Sequence, residues 1–157
     1  DEISILMTDF EKITTDAWFE GNIQKIVSIS ASLAKAKFNE LRPGKLAFFD
    51  SRVFTIPFQT EVENYFIWRQ QDATRNSISA VAQSLYSHKE LSNKNSDQLQ
   101  EMIWQKGQNW NDFAPRYKRG RMMVKEEYEK SGAIRSRWVA IEVPVFTQDK
   151  EFLPNLF

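Results

Sequence analysis

Asp1 and Glu2 open the chain as adjacent carboxylates ahead of an apolar run, and a second polar set, Arg69, Gln70, Asp72, Thr74, Arg75, Asn76 and Ser77, crowds the stretch from Glu61 to Leu91. Carboxylate oxygens are hard ligands suited to Mg²⁺. Phosphoryl transfer needs such metals and positioned cations, because charge builds on oxygens while little covalent work is left to the protein. On spacing alone a DE pair is more often a solvated strand start, and Arg69 and Asp72, three apart on a helix, could pair for purely structural reasons. The helix that carries the second set also keeps an apolar stripe of Phe66, Ile67, Ile78, Val81, Ala82 and Leu85. Its polar load exceeds what solubility asks of a helix face, which makes the run a candidate site.

Smaller constellations sit elsewhere. Asn22, Lys25, Ser28 and Ser32 recur at helical spacing and can share one face, either as a solubility stripe or as donors to an anion. Arg52 follows Asp50 in FDSRV, so an internal ion pair would account for both. His88, the only imidazole, lies with Lys89 in a polar SHKEL segment, where a lone histidine is more often a surface group than a general base. Asn109, Trp110 and Asn111 carry turn chemistry. Arg116, Lys118, Arg119, Arg121 and Lys125, with Arg135 and Arg137 further on, form the densest basic patch.

Elements to position these groups follow from periodicity. EISILM reads as a short buried strand, and Phe19 to about Glu40 as a helix stopped by Arg42-Pro43-Gly44. LAFFDSRVFTIP reads as a second strand ended by Pro57. A helix begins near Val62, SHKELSNKNSD reads as a polar loop, and Asn95 and Ser96 offer caps to a helix from about Asp97 to Lys106, closed by Gly107. NWNDFAP is a tight loop, and RMMVKEEY and RSRWVAIEV are strands joined at Ser131-Gly132. The class is α+β.

Length and composition narrow the options. At 157 residues the chain suits one domain, residues 1–157. Lys plus Arg and Asp plus Glu number 21 each, so no global positive field announces a nucleic-acid binder and any RNA contact is local. The absence of cysteine removes disulfides, thiolate metal sites and cysteine nucleophiles. No run approaches the roughly 18 apolar residues of a membrane span, and no signal peptide opens the chain. The expectation is a cytoplasmic protein with no membrane partner.

Five blocks in order, DEIS from Asp1, WFEGNIQKIVSISASLA from Trp18, FDSRVF from Phe49, WRQQDATRNSI from Trp68 and NWNDFAPRYKRG from Asn109, resemble the 3′-to-5′ nucleotidyl-adding polymerases. These are tRNA-His guanylyltransferase and its bacterial and archaeal relatives, and the tail PVFTQDKEFLPNLF is similar to the end of the bacterial-type members. The resemblance implies a polymerase palm, a ferredoxin-like sheet with helices. Its first strand, which carries an Asp-x-Gly motif, has no counterpart upstream of Asp1. The chain is therefore expected to be the later portion of a longer enzyme, with the rest of the palm over about 1–60 and a C-terminal region over about 61–157.

By the same resemblance Asp1 falls on a metal-binding aspartate, with Glu2 as a second catalytic candidate and two Mg²⁺ ions expected in the complete enzyme. Lys25 matches a triphosphate-binding lysine, while Asn22 stands where eukaryotic relatives have arginine. Ser28, Arg52, Arg69, Asp72, Asn76, Asn109 and Asn111 complete the nucleotide-binding set, and His88, Lys89, Arg116, Lys118, Arg119 and Arg121 are the RNA-binding candidates. Thr74 occupies the place of the histidine in the eukaryotic His-Ile-Asn-Asn-Leu-Tyr-Asn motif, which favours the template-dependent branch. The implied activity is nucleotide addition to the 5′ end of tRNA, by template-dependent repair or tRNA-His guanylylation, with ATP and GTP as substrates and a homotetrameric assembly. Two other classes remain open: a non-catalytic RNA-binding or assembly module, and a palm-type nucleotide cyclase.

Overall fold

The computed structural model describes residues 2–8 and 13–156, and these form two compact units that divide between Thr55 and Ile56. The mixture of helices with a small antiparallel sheet is the expected α+β class.

The first unit is built on α1, Ile23–Leu41. A 3₁₀ turn, Trp18–Gly21, leads into it with Phe19 and Glu20 in the left-handed region, and the Trp18 and Phe19 rings stack at 4.8 Å. Asn22 caps the helix by accepting the Lys25 N–H at 3.0 Å, satisfying one of the orphan amides of a helix start. The helix ends at Arg42, and Gly44 takes a φ of 111° as the chain reverses.

The returning segment from Leu46 is fastened to α1 at two points. Asn39 grips Ala47 through both polar groups of its amide, donating to the carbonyl at 3.0 Å and accepting the N–H at 2.8 Å. Nine residues earlier on α1, Ser30 Oγ donates to Ser51 Oγ at 2.8 Å. Nine helical residues rise about 13.5 Å and four extended ones about 13 Å, so the two clamps are in step. Phe49 meets Phe38 edge-on at 5.5 Å, and Lys35 sits over the Phe48 ring.

Two expectations fail here. Neither EISILM nor the LAFFDSRVF segment forms regular secondary structure, and the only sheet among the described residues is the two-stranded one in the second unit. Ile3 and Ile5, expected to be buried, are 67% and 73% exposed. The reason is physical: an extended run becomes a buried strand only when neighbours bond its edges and a second layer covers its face.

In the second unit α2, Gln59–Leu85, lays Ile78 and Ala82 against Leu99 and Ile103 of α4, Ser96–Gln105, with Val81, Leu85, Leu91 and Trp110 around them. Asn95 and Gln98 cap α4 reciprocally at 2.9 and 3.1 Å, a capping box. Tyr86 secures the α2 end by donating its hydroxyl to the Met102 carbonyl at 2.7 Å. One helical turn, α3, His88–Leu91, forms inside the segment expected to be loop. The Glu90 carboxylate accepts from both the N–H and the hydroxyl of Ser87, at 2.8 and 2.6 Å.

A second core joins Val143, Phe146 and Leu153 to Phe66 and Ile67 of α2. Gln70, 8% exposed, ties it together by donating to the Pro144 carbonyl at 2.8 Å and accepting the Phe146 N–H at 2.9 Å. A short α5, Pro115–Lys118, precedes the hairpin of β1, Arg121–Lys130, and β2, Ala133–Glu142. Register runs from Arg121 opposite Glu142 to Lys130 opposite Ala133. Ser131 and Gly132 both have positive φ, at 56° and 73°, the twist a two-residue type I′ connection requires. No helix among the described residues is long and apolar enough to cross a membrane.

Candidate nucleotide and RNA sites

On the first unit the expected polar face exists and is open. Asn22, Lys25, Ser28 and Ser32 are all exposed, and helical spacing puts Lys25, Ser28 and Ser32 on the side of α1 away from Ser30 and Ile26. Three of these groups are partly committed: Asn22 Oδ1 serves as the helix cap, and Ser28 Oγ and Ser32 Oγ donate to the Gln24 and Ser28 carbonyls, both at 2.7 Å. Arg52 donates to Asp50 at 3.2 Å, with both side chains more than four-fifths exposed. That is the pairing their sequence neighbourhood suggested, and in solvent it is worth little.

On the second unit Asp72 is the hub. Arg69 Nη1 lies 3.3 Å from its Oδ2, Arg75 Nη2 donates to Oδ1 at 3.1 Å, and Asn76 Nδ2 donates to Oδ2 at 3.2 Å. Arg69 is the more enclosed guanidinium, its side chain 17% exposed against 60% for Arg75. Arg69 also stacks on Trp68, 4.7 Å from ring centroid to guanidinium. Two guanidiniums on one carboxylate leave a net positive charge held in place by that carboxylate, a natural seat for phosphate oxygens.

The loop after α4 docks one turn further along. Trp110 Nε1 donates to Ser77 Oγ at 3.0 Å, and Ser77 Oγ donates to the Thr74 and Lys118 carbonyls at 2.7 and 3.3 Å. Asn109 Oδ1 accepts the Asn111 N–H at 3.0 Å, closing a 3₁₀ turn over Trp110–Asp112. Lys118 Nζ donates to the Asn111 carbonyl at 2.7 Å and lies 5.2 Å from the Trp110 ring. Asp72 and Asn76 thus belong to the hub on α2, while Asn109, Asn111 and Lys118 belong to the loop that Ser77 and Trp110 fasten to the same helix.

The basic run divides by role. Arg119 Nε donates to the Val143 carbonyl at 2.9 Å and so ties α5 to the end of the hairpin. Lys118 is engaged in the Trp110 loop. Arg116, over the Tyr117 ring at 4.8 Å, and Arg121 are exposed. His88 and Lys89 are exposed on α3.

Asp1 lies outside the described residues. Among those described, no three metal-ligating side chains come together, and Glu2 is one exposed carboxylate. The described residues therefore do not assemble a Mg²⁺ site, which takes several oxygens around the ion.

Sequence reading missed three roles. Arg75 is the second cation on Asp72, discoverable as an i,i+3 neighbour. Ser77 and Gln70 were visible only as members of the polar run, because their partners lie 33 and 76 residues away.

No family model matches the chain. A bacterial tRNA(His) guanylyltransferase (Thg1)-like protein solved in complex with ATP is 46% identical, with a TM-score of 0.76; the match covers 96% of this chain and 64% of that one. A structure of such a protein in complex with GTP gives the same identity and TM-score and is covered over 62% of its length. Among curated proteins, the tRNA(His) guanylyltransferase of Debaryomyces hansenii is 26% identical over 73% of this chain. An uncharacterized protein of Acanthamoeba polyphaga mimivirus is 24% identical over 94% of it. The chain spans 51% and 60% of the length of these two curated relatives.

Proposed function

The chain belongs to the tRNA(His) guanylyltransferase-like family, in its bacterial branch, and from that membership we propose that it adds nucleotides to the 5′ end of tRNA in the 3′-to-5′ direction. The observation that carries the reading is the Asp72 hub with the Trp110 loop knotted beside it. It gathers cations and amides on one region of a fold whose structural relatives are described in complex with ATP and with GTP.

The chemistry proceeds in two transfers. A 5′-monophosphate oxygen attacks the α-phosphorus of ATP, forming an adenylylated end and releasing pyrophosphate. The 3′-hydroxyl of an incoming nucleoside triphosphate then attacks the 5′ phosphorus, loses its proton and expels AMP. An end that already carries a triphosphate is attacked directly and releases pyrophosphate.

In this reading Lys25 and Ser28 on the open face of α1 meet triphosphate oxygens, with Asn22 and Arg52 as further contacts on that unit. On the other unit Arg69 and Asn76, oriented by Asp72, meet phosphate or sugar oxygens, and Asn109 and Asn111 hold the loop that approaches the nucleotide. His88, Lys89, Arg116 and Arg121 contact RNA phosphates, and Lys118 and Arg119 hold the loop that presents them. Asp1, with Glu2 beside it, is assigned to Mg²⁺ on its resemblance alone, and a homotetramer is the proposed assembly. Base choice comes from pairing with the opposite strand of the acceptor stem, because Thr74 replaces the histidine of the eukaryotic motif.

The test is extension of a 5′-labelled tRNA lacking its first nucleotide, supplied with each triphosphate in turn and compared with intact tRNA-His. The expected product is one added nucleotide complementary to the opposing base. Binding without extension would instead identify an RNA-binding module, a cyclic nucleotide product a cyclase, and guanosine addition to intact tRNA-His whatever the opposing base a dedicated guanylyltransferase.

A further inference from the structure

Gln70 and Ser77 stand seven residues apart on α2, which puts them about two turns and roughly 10.5 Å from each other on one side of the helix. Asp72 lies two residues after Gln70, roughly 160° round the axis at 3.6 residues per turn. The helix therefore has a front, with the phosphate seat of Arg69, Asp72 and Arg75, and a back with two polar side chains. Neither back group is open to a ligand. Gln70 is 8% exposed with both ends of its amide engaged, and the single Ser77 proton is shared between the Thr74 and Lys118 carbonyls.

Both back groups lead to the same short stretch of backbone. Ser77 Oγ reaches the Lys118 carbonyl at 3.3 Å. Gln70 holds the Pro144 carbonyl and the Phe146 N–H, and the carbonyl just before them, that of Val143, accepts from Arg119 Nε at 2.9 Å. The consecutive residues Lys118 and Arg119 are thus fastened to the back of α2 by two routes, one direct and one through the end of the hairpin. Both are half-buried in the middle of the basic run, while Arg116 and Arg121 on either flank are exposed.

We propose that Gln70 and Ser77 are positioning residues which, from the back of α2, set the distance between the phosphate seat on its front and the exposed cations Arg116 and Arg121. One rigid helix then carries both the group that holds nucleotide phosphate and the anchors of the segment that holds RNA phosphate. The inference rests on the 5′-addition reading above and deepens it. A transfer between two bound molecules depends on their separation, and a misplacement of about 1 Å can cost roughly a hundredfold in rate. Loosening either anchor leaves every ligand-touching group in the chain but lets the two sets drift apart. The loss therefore falls on the rate of transfer and not on the affinity for either substrate.

Two measurements on the full chain test it. In single-turnover extension of a tRNA lacking its first nucleotide, Ser77→Ala and Gln70→Met are expected to slow transfer by at least about tenfold, with ATP and tRNA affinities within about threefold of wild type. Tyr86→Phe, which loses the 2.7 Å bond to the Met102 carbonyl at the far end of α2, is the control and keeps the wild-type rate. Because the chain has no cysteine, Gln83→Cys on α2 and Tyr117→Cys on α5, both at exposed positions, take a pair of spin labels. The distance between them is expected to be single and narrow in the otherwise unaltered chain and broadened by either anchor substitution. Ser77→Ala alone decides the outcome if Gln70→Met does not fold. An unchanged distance distribution, a wild-type rate in Ser77→Ala, or an equal loss of rate in Tyr86→Phe overturns the proposal. A chain that binds both substrates and extends nothing overturns the 5′-addition reading instead, and the label distances still decide whether Gln70 and Ser77 position the segment.

Discussion

Trp110 and Ser77, 33 residues apart, are joined by an indole hydrogen bond of 3.0 Å, and through the Ser77 hydroxyl the loop after α4 is fixed to the middle of α2. The contact connects a core function to a site function, because Trp110 also packs against the Ile78–Ile103 cluster.

Ser77→Ala removes that hydroxyl and leaves a half-buried indole N–H without its acceptor. The expected cost is about 1–3 kcal/mol, read from urea denaturation. Trp110→Phe removes donor and indole together and should restore part of that loss in the Ser77→Ala background. Strict additivity of the two substitutions would show that the residues do not act as a pair.

The Asp72 hub predicts an asymmetry between its two arginines. Arg75 is 60% exposed, so Arg75→Ala should change stability by no more than about 0.5 kcal/mol, as exposed helical pairs do. Arg69 is 17% exposed and also stacks on Trp68, so Arg69→Ala should cost more, about 1–2 kcal/mol. Equal effects in thermal or chemical unfolding would remove the distinction drawn from burial.

Lys25 has a different signature. If its ammonium meets triphosphate oxygens, Lys25→Ala should raise the apparent KM for the nucleotide by about ten- to a hundredfold, the size of a charged hydrogen bond of roughly 1.5–3 kcal/mol. Binding of tRNA, followed by fluorescence anisotropy, should change little. Parallel losses in both measurements would mean the α1 start had been disturbed as a whole.

Glu90 provides a pH test. The Ser87 hydroxyl and then the Ser87 N–H hold its carboxyl below the ordinary glutamate value. A depressed folded pKa means that the ionised form stabilises the α3 turn above the unfolded value, and that the contribution disappears as pH falls through the folded one. Protection of the Ser87 amide, taken relative to its intrinsic exchange rate at each pH, should fall on acidification in the wild type. Glu90→Gln, which cannot ionise, should show no such titration.

The long periodic pieces were readable from residue order alone: α1, α2, α4 with its Asn95 cap, and the hairpin with its Ser131-Gly132 turn. Each depends on partners within a few residues. EISILM and LAFFDSRVF were misread as strands because pairing is decided by a neighbour that local pattern does not contain. The α3 turn was missed because a single capping interaction, Ser87 with Glu90, is enough to make it. The same division holds at the site: Arg69, Asp72 and Asn76 announce themselves by helical spacing, while Gln70 with Phe146 and Ser77 with Trp110 are long-range meetings.

Asn39 and Ser30 act on the segment from Leu46 as a toothed gauge acts on a rack. With Ala47 and Ser51 each engaged, alternation along an extended chain sends Asp50 and Arg52 outward, where both are found. Deleting one residue between Arg42 and Leu46 would force a choice between losing a tooth and turning Asp50 and Arg52 onto the helix. Length in that short connection therefore governs which chemistry the segment presents to solvent.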